Sequence, residues 1–78
     1  MNEFYRPIDC TFHDELELRA VRRVRCELVY RDAAGAEQLR YGRIVDLSTR
    51  DGEEYLRLDD GTDVRLDRVI RVDGRRLG

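Results

Sequence analysis

Few side chains in this 78-residue chain could do chemistry, and they are poorly arranged for catalysis. His13 is the single histidine, Ser48 the single serine, and Cys10 and Cys26 the two cysteines. A nucleophile needs a base within hydrogen-bond reach and donors for the developing oxyanion. Nothing in the sequence supplies either, so no enzymatic activity is expected. Two thiols and one imidazole at these spacings fall short of a zinc set, and no metal or cofactor is expected. Asp59-Asp60-Gly61-Thr62-Asp63 has the acids of a calcium-loop start but lacks the terminal glutamate, and it fits a hairpin better. Gly35, Gly52 and Gly61 are isolated turn glycines rather than a phosphate loop. The carboxylates are more informative. Glu3, Asp9, Asp14, Glu15 and Glu17 stand against Arg6 alone, and Arg19, Arg22, Arg23 and Arg25 then reverse the sign. An acidic segment of this kind suits docking on a basic surface.

The elements that must position these residues follow from periodicity. Residues 1–10 are expected to be extended, because Pro7 pushes Arg6 away from helical backbone. Thr11 offers a helix cap, and Phe12, Leu16 and Ala20 form one stripe of a helix over 11–20. Asp14 and Glu17 share a face three residues apart, whereas Glu15 points elsewhere. From Val24 the period becomes two, with Cys26, Leu28 and Tyr30 in phase. A second strand is expected over Glu37–Leu47, with Leu39 and Tyr41 in phase and a bulge or bend at Gly42. Turns at Thr49–Gly52 and Asp59–Gly61 bound a third strand carrying Tyr55, Leu56 and Leu58. Val64 and Leu66 alternate in a fourth, a single 3-10 turn follows, and Val69–Val72 form a fifth. Residues 74–78 read as a flexible tail. A helix followed by five antiparallel strands over 22–73 predicts one mainly β domain, a small Sm-like or SH3-like barrel. Closure would hide the sheet edges. A flat sheet with one covering helix is the alternative.

Charged residues make up 41% of the chain, yet the net charge is only -2. Local distribution therefore matters more than the total. Arg22, Arg23, Arg25, Arg40 and Arg43 could form a basic patch for single-stranded RNA, but acids interleave with them and the isoelectric point is near 5.4. A direct nucleic-acid ligand is not expected. No secretory signal or membrane span is apparent, and the two thiols suit a reducing cytosol. Arg57, Asp59 and Asp63 near the expected edges favour a monomer.

Tyr5, Pro7-Ile8, Cys10, Asp14 with Leu16-Glu17-Leu18 and Ala20, Asp46-Leu47, Glu54-Tyr55-Leu56, and Arg65-Leu66-Asp67 with Ile70 fall in order across Tyr5 to Val72. Together these short motifs resemble the Rho-binding antiterminator (Rof) family. The resemblance implies an Sm-like barrel with an N-terminal helix and no enzymatic activity. It also implies a partner, the RNA-binding domain of the bacterial transcription termination factor Rho, whose primary RNA site is blocked so that Rho-dependent termination falls. On this resemblance the contact residues are Asp14 and Glu17, supported by Asp9, His13, Glu15 and Asp46. Cys10, Leu16, Leu18, Tyr55 and Leu66 would be structural. An Sm-like RNA-binding module is the alternative function.

Overall fold

The computed structural model describes residues 4–76. Helix α1 (Cys10–Arg22) is followed by β1 (Arg25–Arg31), β2 (Glu37–Arg50), β3 (Glu53–Leu58) and β4 (Asp63–Arg65). A 3-10 turn (Leu66–Arg68) leads into β5 (Val69–Val72) and a two-residue β6 (Arg75–Arg76). The strands form one antiparallel sheet in the order β4-β3-β2-β1-β5-β6. The ladder runs from β4 to β6 with no pairing between those two ends among the described residues.

The helix starts two residues earlier than the Thr11 cap implies. Asp9 is the N-cap, its Oδ1 accepting the Thr11 N–H at 2.6 Å. A carboxylate at that position satisfies a free amide at the positive end of the helix dipole. At the other end Arg23 adopts a left-handed conformation (φ 56°), and its N–H donates to the Ala20 carbonyl. Phe12 and Leu16 are buried and Ala20 is half-buried, as the stripe predicts. Burial of each large side chain is worth about 1.5–3 kcal/mol, which anchors a helix of this length on the sheet. Leu18 does not face the core. It lies 200° around the helix from Leu16 at 100° per residue and is exposed. Cys10 is likewise exposed rather than structural, and Cys26 is a buried free thiol. Burial, then the nearby Asp73 charge, pushes the Cys26 thiol up.

β2 spans fourteen residues and belongs to two ladders. Glu37–Arg43 pair with β1, and Ile44–Arg50 pair with β3. Val45 is the bulged residue, three beyond the glycine that signals it. Gly42 is buried where the β3–β4 turn closes over the strand; a Cβ there would lie 2.7 Å from Asp59 Oδ1. The register places Cys26 opposite Gly42, Leu28 opposite Arg40 and Tyr30 opposite Gln38. Leu39 and Tyr41 therefore turn outward and are exposed, against the expectation from alternation alone. Val24 precedes β1 and is exposed as well.

The core comprises Phe12, Leu16, Cys26, Leu28, Tyr30, Ile44, Leu56, Leu58, Val64, Leu66, Val69 and Val72. The N-terminal segment runs over one flank of it. Tyr5 Oη donates to Glu54 Oε2 at 3.1 Å, and the Arg6 N–H donates to Asp67 Oδ2 at 3.0 Å. Asp67 is itself held by the buried Arg65, whose guanidinium donates at 2.6 and 3.0 Å. At the C-terminal end, Asp73-Gly74 form a two-residue turn with φ 50° and 80°. Arg75 and Arg76 pair with Val72 and Arg71, so this part of the expected flexible tail is strand. Residues 1–3, including Glu3, and residues 77–78 lie outside the described residues.

Candidate partner-binding groove

Helix geometry sorts the charges that the sequence mixes. At 100° per residue His13, Glu17, Ala20 and Val21 fall along one edge, with Asp14 beside them. Glu15, Arg19 and Arg22 fall along the opposite edge. The first edge faces a groove of about 450 Å³ between α1 and the β2–β3 hairpin. Its α1 wall carries His13, Glu17 and Val21; its sheet wall carries Val45, Asp46, Leu47 and Glu54.

His13 sits between two carboxylates, with Nδ1 2.8 Å from Glu17 Oε1 and Nε2 3.6 Å from Glu54 Oε1. Glu54 also accepts the Tyr5 hydroxyl, and this linkage joins the N-terminal segment, β3 and the helix. Burial, then the bond to Glu54, pushes the Tyr5 hydroxyl up to about 12. Asp46 lies opposite Arg57 across the β2–β3 ladder, but Arg57 donates to Asp63 at 2.8 and 3.2 Å instead. Asp46 and Asp14 are exposed and have no ion-pair partner among the described residues.

Three of the six expected contact residues, His13, Glu17 and Asp46, therefore line one groove. Asp14 stands beside His13 and Glu17, with ligand atoms of the three within 4.8 Å of one another. They are the described groups that could together approach a divalent cation, although His13 Nδ1 already meets Glu17. Asp9 is engaged in capping. Glu15 does not belong to this edge. Its carboxylate lies 2.8 Å from Arg75 and 3.7 Å from Arg19. Arg19 in turn donates to Asp73 Oδ2 at 2.9 Å, and Asp73 Oδ1 accepts the Glu27 N–H at 2.9 Å. Burial raises the Asp73 carboxyl, but the Glu27 amide and the Arg19 guanidinium outweigh it and hold the group below the usual range. This cluster ties α1 to the β5–β6 turn and uses Glu15 internally.

The acids of the calcium-like run also serve the fold. Asp60 accepts the Thr62 N–H, Asp63 meets Arg57, and Asp59 accepts the Arg43 N–H. They do not converge. Sequence reasoning gave no role in the groove to Glu54, Val21 or Val45. Glu54 becomes visible only through the β2–β3 register, which sets it opposite Thr49 beside the helix. Compared with protein-family models, curated proteins and solved structures, the chain matches none. No helix among the described residues is long and apolar enough to cross a membrane.

Proposed function

We propose that this protein is an inhibitor that docks its acidic groove edge on the RNA-binding domain of transcription termination factor Rho and reduces termination by blocking RNA access. The observation that carries the reading is the separation of charge on α1. Asp14 and Glu17, with Asp46 and Glu54 across the groove, have no guanidinium pairing among the described residues. The arginines that follow in sequence lie on the other edge or beyond it, and Arg25 is set opposite Arg43 on β1–β2. A surface that grips phosphates is basic, and an acidic face matches it. The order of elements supports an Sm-like arrangement of the sheet: one N-terminal helix, a long second strand shared by two ladders and a 3-10 turn between the fourth and fifth strands.

Rho-dependent termination on a defined template, run with increasing protein, tests this. Readthrough should rise with the wild-type chain and stay at its basal level with Asp14→Lys/Glu17→Lys. Equal activity of that variant would rule out the acidic edge as the contact.

A further inference from the structure

The groove has an open strand edge as well as a charged rim. Two-residue hairpins close on a hydrogen-bonded pair, here Arg50 opposite Glu53 around Asp51-Gly52. Pairing then alternates, so Ser48 and Asp46 also exchange bonds with β3. Leu47 and Thr49 consequently direct their backbone N–H and C=O groups away from β3. No strand lies on that side, because β1 begins at Arg25 opposite Arg43 and the preceding residues are helix. Among the described residues no other backbone or side-chain group bonds these four atoms. The space beside them is the groove, lined by exposed Val21 and Val45 and by Glu17, Asp46 and Glu54.

We infer that the Val45–Arg50 edge of β2 accepts an extended partner segment by strand addition, and that this segment carries basic and small aliphatic side chains. Backbone bonds to Leu47 and Thr49 would supply the register. Side chains directed to the helix side would meet Val21, Glu17 and Glu54, and those directed to the opposite face would meet Asp46 and the neighbouring Val45. A second copy of the chain fits poorly: its end strands β4 and β6 are three and two residues long, β4 carries Asp63 into an already acidic site, and pairing through its own Val45–Arg50 edge would set the Asp46 and Glu54 carboxylates of the two copies beside one another. The inference rests on the docking reading above for its biological partner, but the strand site itself can be tested without Rho.

The probe is an end-blocked hexapeptide of alternating arginine and valine, titrated into labelled full-length protein by NMR. Leu47 and Thr49 amides should shift, and their hydrogen exchange should slow about tenfold on saturation. Thr49→Pro removes an outward N–H without touching the β3 ladder and should weaken peptide binding about tenfold; Thr49→Ala, which keeps the N–H, should bind within about twofold. Unchanged exchange at Leu47 and Thr49 in the wild type at millimolar peptide overturns strand addition, and this readout stands even if Thr49→Pro fails to fold. Equal peptide binding by a folded Thr49→Pro overturns it too. If Thr49→Pro inhibits Rho fully while Asp14→Lys/Glu17→Lys does not, acidic docking holds and strand addition falls as the way Rho is held. If the peptide adds at Leu47 and Thr49 but the chain leaves Rho unaffected, the strand site stands and the Rho reading falls.

Discussion

Asp14 and Glu15 are neighbours in sequence, and reversing each should fail in a different way. Glu15→Lys removes the 2.8 Å pair with Arg75 and the 3.7 Å pair with Arg19, then sets a third cation between them. An exposed pair is worth about 0.2–1 kcal/mol, and reversal adds repulsion of similar size. Arg75 is 67% exposed in its side chain, which discounts its share, while Arg19 is 17% exposed and feels the change more. A loss of about 1–2 kcal/mol follows, or a fall in Tm of about 4–16 °C for a domain of this size. Asp14→Lys breaks no pair among the described residues and gains an i,i+3 attraction to Glu17, so stability should move by less than about 0.5 kcal/mol. Its cost should appear in binding, where reversing one rim charge removes about 0.4–2 kcal/mol, or about 2- to 30-fold in Kd. Thermal melts and calorimetric titration with Rho at two salt concentrations separate the outcomes, and the Asp14→Lys effect should shrink at the higher salt. Glu15→Lys that weakens Rho binding at unchanged Tm, with Asp14→Lys silent, would refute the assignment of edges.

Three further outcomes follow from the same geometry. Gly42→Ala should destabilise by about 1 kcal/mol in urea melts, because its Cβ would displace the Asp59 carboxylate from the Arg43 N–H; Asp59→Ala should then add less in that background than alone. Asp63 and Asp73 are held below the usual carboxylate range in the folded chain, so their stabilisation is complete above about pH 5 and is lost as pH falls through and below about 4. Urea midpoints should drop over that window, and Asp73→Asn should flatten the slope. Tyr5→Phe removes the bond to Glu54, costs at most about 1 kcal/mol, and should eliminate the tyrosine that ionises near 12 in an alkaline absorbance titration.

Much of the fold was legible because it depends on local pattern. The Phe12–Leu16–Ala20 stripe, the Asp-Gly turns and the two-residue alternation of β1 each carry their own period. The errors came where long-range pairing decides the outcome. Leu39 and Tyr41 alternate as a buried strand would, yet the register to β1 gives the inner positions to Gln38, Arg40 and Gly42. The tail residues Arg75 and Arg76 carry no strand signal of their own, and they pair because Asp73-Gly74 turn them back onto β5. Among the site residues, the sharing of one face by Asp14 and Glu17 was readable from helix spacing, as was the divergence of Glu15. Its capture by Arg75, sixty residues away, was not. Nor was Glu54, whose place depends on which strand crosses the helix.

The groove owes its existence to where β1 begins, at Arg25 opposite Arg43. Had α1 ended earlier, β1 could have extended backward opposite Ile44–Arg50 and covered the second half of β2. Instead the left-handed Arg23 ends the helix only two residues before Arg25, and Ala20 and Val21 lie beside the uncovered edge. The bulge at Val45 then shifts the register to β3, and Asp46 just beyond it is exposed. Local charge and open backbone arise from this single arrangement. A substitution that lets β1 pair further along β2 should therefore remove both together, whereas charge reversal removes only the first. Loss of Rho binding and of the Leu47 and Thr49 pairing together in the former case, with weaker binding but persistent pairing at those amides at saturating peptide in the latter, is the pattern that ties the two features to one surface.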